Sequence, residues 1–125
     1  MKRFVILAAL ALAGCSSTVS DLKSKPPEVL HSQTDYETAY RHMSRLARDC
    51  DAGAFLLTEF GVDADLYPSS QTAEITIWMN NPARVTMAYA EISKEGSGSL
   101  VRLWQVNKAG RDLKRALAGK TTCSD

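Results

Sequence analysis

Residues Gln71–Met79 read Gln-Thr-Ala-Glu-Ile-Thr-Ile-Trp-Met. Ala73, Ile75, Ile77 and Met79 fall on one side, and Glu74, Thr76 and Trp78 on the other. A period of two marks a half-buried strand. Towards the C-terminus, Asn80-Asn81-Pro82 is a turn and Arg84–Ser93 is a second strand rich in β-branched and aromatic residues. Glu95-Gly96-Ser97-Gly98 turns the chain again, and Leu100–Val106 is a third strand. Connections this tight force antiparallel neighbours, so the middle of the chain is predicted to be a meander. Towards the N-terminus, Phe55–Phe60 is an apolar run. Val62, Ala64 and Leu66 then alternate with Asp63, Asp65 and Tyr67 until Pro68 stops the segment.

Before this β region the period is near 3.6. Tyr36, Tyr40, Met43, Ala47 and Cys50 recur every three or four residues and form one helical stripe. Thr34 and Glu37 have the spacing of a capping box at its start, and Gly53 ends it. A last helix is expected from about Lys108 to Ala118, with Asn107 as N-cap, Leu113 and Leu117 one turn apart, and Gly119 as stop. Helix, meander and helix together predict an α+β fold: an antiparallel sheet packed on one face by an N-terminal and a C-terminal helix.

A chain of 125 residues has room for one such unit, and 45% apolar with 23% charged residues suits an ordinary folded core. The formal charge, 15 basic against 14 acidic residues, is +1. That balance argues against a nucleic-acid-binding domain, which carries a basic excess.

The N-terminus has a different character. Lys2 and Arg3 precede ten uninterrupted apolar residues, Phe4–Ala13, about 15 Å of helix and too short for a stable membrane span. This is the pattern of a signal peptide. Leu12-Ala13-Gly14-Cys15 directly follows and resembles the lipobox of bacterial lipoproteins. The resemblance implies diacylglyceryl modification of the Cys15 thiol, cleavage before Cys15, and acylation of the new amine with a fatty acid such as palmitate. Ser16, in place of aspartate, points by the enteric sorting rule to the periplasmic face of the outer membrane rather than the inner membrane. An ordinary secretory signal with a coincidental cysteine, or an uncleaved anchor, is the competing reading. The implied organisation is a signal peptide over 1–14, a lipidated N-terminus and flexible tether over 15–33, and a single domain over 34–125. Loss of Lys2 and Arg3 leaves 13 basic and 14 acidic residues, a net charge of −1.

Export would place Cys50 and Cys123 in an oxidising compartment, where pairing is the default; free buried thiols or a redox pair are the alternative, without a C-x-x-C spacing to support the latter. One intramolecular bond is possible. It would join the end of the first helix to the tail beyond the last and lay both on the same side of the sheet.

Tyr36, Tyr40-Arg41, Ala47-Arg48-x-Cys50, Ala64-Asp65-Leu66-Tyr67, Glu74-Ile75-Thr76 and Cys123 are similar to motifs of a group of small, uncharacterised proteobacterial lipoproteins. That resemblance implies a helix-grip-like domain and no known reaction.

Candidate sites are few. Arg41, Arg45 and Arg48 share a second helix face, either a solvated surface or a contact for an anionic surface. Trp78 lies on a polar strand face, either as edge filler or as an anchor for a partner. No catalytic residues, metal ligands or cofactor motifs stand out. Ser44 and His42 are two apart on a helix and point apart, His31 and His42 have no second ligand at a metal-site offset, and Gly96-Ser97-Gly98-Ser99 is turn chemistry rather than G-x-S-x-G. The expectation is a non-enzymatic, membrane-anchored envelope module whose partner is a periplasmic protein or cell-wall component. The alternative is a carrier of a small hydrophobic molecule or lipid between sheet and helix.

Overall fold

The computed structural model describes residues 18–80 and 82–123; the lipobox and Cys15 lie outside them. Six strands form one antiparallel sheet: β1 (Glu28–Ser32), β2 (Gly53–Phe55), β3 (Thr58–Tyr67), β4 (Thr72–Asn80), β5 (Arg84–Glu95) and β6 (Gly98–Gln105). Their spatial order is β1-β6-β5-β4-β3-β2. β3 to β6 are thus the expected meander; β2 adds a short strand to one edge, and β1 adds to the far edge by pairing with β6 from Glu28↔Leu103 to Ser32↔Ser99. The register shifts between Ile77 and Trp78, whose partners are Ala88 and Thr86; Met87 is the extra residue of a β-bulge.

Helix α2 (Tyr36–Asp51) lies across one face of the sheet. Met43 and Ala47 from its predicted stripe are fully buried, with Ala39 and Leu46 beside them; Tyr36, Tyr40 and Cys50 flank the core half-buried. The opposing layer is the apolar side of the strands, Ala73, Ile75, Ile77, Ala88, Ala90, Ile92, Val101 and Leu103, all 0–3% exposed. Helix α3 (Arg111–Leu117) packs chiefly on α2 and contributes Leu113 and Ala116 to the same core. Its C-terminus is a Schellman motif: Gly119 N–H donates to Ala116 O and Lys120 N–H to Arg115 O, with Gly119 at φ +90°.

Three local expectations are corrected. Asp35, not Thr34, caps α2: its carboxylate accepts the Thr38 N–H at 3.0 Å, and hydrogen bonding from the Thr38 side chain and then its backbone holds the carboxyl below its ordinary pKa. Thr34 instead offers its carbonyl to the buried Ser99 hydroxyl at 2.8 Å. The last helix begins at Arg111 with Gly110 as N-cap, because Asn107 sits at φ +53° in a turn that delays it. Finally, residues 16–27, expected to be a leash, include an ordered helix. α1 (Val19–Lys23) is capped by Thr18, which accepts the Asp21 N–H while the Asp21 carboxylate accepts the Thr18 N–H. With α1 and β1 in place, packed structure begins well before residue 34.

Candidate functional site

Three places concentrate chemistry, and the first is the junction of α2 and α3. Cys50 and Cys123 are joined there, with Cα atoms 5.4 Å apart, so the expected pairing is present. Next to it, Asp51 ends α2 and Asp112 lies in the first turn of α3. Asp112 is 5% exposed and accepts from Arg115 at 3.1 Å; the same guanidinium donates to Thr122 O at 2.6 Å, which ties down the tail that carries Cys123. The Asp51 carboxyl is pushed up to about 7, first by burial, then by its hydrogen bond to Asp112 and by the charge of that neighbour, with Arg111 opposing. Partial burial beside a second carboxyl disfavours the ionised form of Asp51.

The second place is the sheet face turned away from α2. Gly61 of β3 opposes Trp78 of β4, and the indole lies across the glycine so closely that a Cβ there would come within 1.9 Å of the ring. The Arg84 guanidinium stacks on the indole at 4.0 Å and pairs with Asp63 at 3.6 Å. Trp78 is therefore half-buried beneath an arginine, its Nε1 without a hydrogen-bond partner among the described residues. Further along this face, Tyr89 and Trp104 form a tilted ring pair, and α1 docks on it. The Lys23 ammonium meets Glu91 at 2.6 Å and stands 5.6 and 5.3 Å from the two ring centroids. Trp104 Nε1 donates to Lys25 O at 2.8 Å. Burial and the neighbouring Glu74 and Glu91 carboxylates hold the Tyr89 hydroxyl well above the ordinary phenol range. A Thr-x-x-Asp box at Thr18–Asp21 is the sequence signal that identifies α1; the seat that receives it is made only by the tertiary fold.

The third place is the β2–β3 hairpin. Its two-residue loop is Leu56-Leu57, and Phe55, Leu56 and Leu57 are 71, 87 and 94% exposed. Leu56 is at φ +56°, a conformation that costs an L-residue with a Cβ about 1–2 kcal/mol. Glycine is the usual occupant where only the first loop residue has positive φ. The apolar run from Phe55 to Phe60 is thus divided by a turn that breaks the usual composition rule, and its large side chains point to solvent.

Of the sequence candidates, Arg41, Arg45 and Arg48 are all exposed along α2 and line one surface groove of about 490 Å³ with Tyr40, His42 and Ser44. Arg41 is paired with Glu37 one turn away. Ser44 is buried and donates to Arg41 O, while His42 is exposed, so the two do not form a nucleophile–base pair. His31 meets Glu95 at 2.7 Å on the surface. Among the described residues no group of three or more His, Cys, Asp or Glu is arranged to hold a metal ion, and no helix is long and apolar enough to cross a membrane. Comparisons with protein-family models, with curated proteins and with solved structures find no match.

Proposed function

We propose that this chain is a non-enzymatic lipoprotein of the bacterial envelope, held by acyl chains on Cys15 at the periplasmic face of the outer membrane, whose disulfide-clamped domain engages a periplasmic protein or wall component. The observation that carries this reading is the signal-like N-terminus that ends in Leu12-Ala13-Gly14-Cys15. Two or three acyl chains on one residue make desorption negligible, whereas one chain binds reversibly. The Cys50–Cys123 bond supports the same compartment, because such bonds persist where the surroundings are oxidising.

The carrier alternative is less well supported. A carried molecule would occupy the space between α2, α3 and the sheet, and that space is filled by the buried side chains of Met43, Ile75, Ile92, Leu103 and Leu113. The experiment that tests the anchor is replacement of Cys15 by Ala. The variant should take up no radiolabelled palmitate and should accumulate as unprocessed precursor; normal labelling would refute the assignment.

A further inference from the structure

We propose that the β2–β3 hairpin tip is a membrane wedge, whose Phe55, Leu56 and Leu57 side chains seat in the bilayer to which the chain is anchored. This rests on the lipid-anchor reading of Cys15 and specifies what else touches that membrane. From Ala52 to Thr58 the chain carries no charged side chain, and its three largest apolar groups are 71–94% exposed at one end of the sheet. A solvent-facing turn is normally built from Gly, Asn or Asp, which suit both water and a positive φ. Here Leu56 is kept at φ +56° and is 87% exposed; an apolar medium that received the tip would remove the cost of that exposure.

The occupant follows from where the chain outside the described residues ends. Only Ser16 and Ser17 separate Cys15 from Thr18, about 10 Å of chain at full stretch. Thr18 caps α1, and α1 is fixed to the sheet by Lys23 against Glu91, Tyr89 and Trp104. The body is thus held close to the lipid surface, and the uncharged tip lies at the end of β3 that pairs with Asn80. Arg48, exposed in the last turn of α2 just before this hairpin and without a carboxylate partner among the described residues, suits phosphate headgroups.

The experiment places a Trp at the tip, Leu57→Trp, in the mature acylated protein on vesicles of phosphatidylethanolamine and phosphatidylglycerol, with and without brominated acyl chains. The added emission should be blue-shifted and at least halved by brominated lipid, while Ser70→Trp, in the turn at the opposite end of β3, should be unaffected. Equal quenching at both positions, or none at 57, overturns the proposal. Hydrogen exchange on the unsubstituted protein is the second measurement: vesicles should slow the amides of residues 54–58 at least tenfold and leave those of 69–71 unchanged. Protection that needs envelope protein rather than lipid overturns it in favour of a protein partner. Palmitate labelling is read on the same preparation. An unlabelled protein removes the anchor and this proposal together, whereas a labelled protein with an unquenched tip removes the wedge alone.

Discussion

The raised titration of Asp51 should make the domain less stable at pH 8 than at pH 5. In the folded chain Asp51 holds its proton up to about pH 7, against an ordinary value of 3.8. The native state therefore binds a proton that the unfolded state has already released. Stability from this group is complete below pH 3.8 and is lost as the pH rises through about 7. In a fully dry site the loss would be about 1.4 kcal/mol for each tenfold fall in proton concentration across that interval. Asp51 is only half-buried, so water screens the interaction, and a total loss of about 1–2 kcal/mol is expected. Replacement of Asp51 by Asn keeps an N–H donor for Asp112 and removes the titration. Urea unfolding with the disulfide intact, at pH 5 and pH 8, should show the loss in the parent and a nearly flat response in Asp51→Asn. Every other titrating group is common to both proteins and cancels in the difference. Parallel pH slopes in the two proteins would refute the raised Asp51 titration.

Three further outcomes are expected. Cys50→Ser with Cys123→Ser should lower unfolding free energy by roughly 4 kcal/mol, the closure entropy of a 73-residue separation, measured by urea titration without reductant. Gly61→Ala should destabilise by at least ~2 kcal/mol and change the Trp78 fluorescence, because the new methyl has no space beneath the indole; an unchanged spectrum and midpoint would mean that the indole does not lie there. Lys23→Ala should release α1, which buries no side chain of its own, so limited trypsin cleavage at Lys25 should accelerate several-fold while global stability moves by no more than ~1 kcal/mol.

The strands of the meander were legible because Ala73, Ile75, Ile77 and Met79 alternate with polar residues, and a half-buried sheet imposes that alternation on any sequence that forms it. The α2 stripe was legible for the matching reason at the helical period. What escaped was decided by tertiary contacts or by a broken rule. The hairpin at Leu56-Leu57 escaped because it lacks the glycine or asparagine that marks such a turn. The α1 helix escaped because residues 18–23 hold only two apolar side chains, Val19 and Leu22, and are ordered with the help of a distant seat, Tyr89, Glu91 and Trp104. Thr34 and Asp35 are both capable caps, and only the hydrogen bonding of Thr38 separates them. At the functional level, the cysteine pair could be inferred from counting, whereas the Asp51–Asp112 proton site required knowing that two helix ends meet.

The pairing of β1 with β6 sets the order in which the chain can mature. Residues 28–32 emerge early from any ribosome or translocation pore, yet the strand that receives them is 98–105, and Cys50 must wait longer still for Cys123. A chain fragment that stops before residue 98 has an orphaned first strand and an open crosslink, so the sheet is complete only once residues 98–105 have been made.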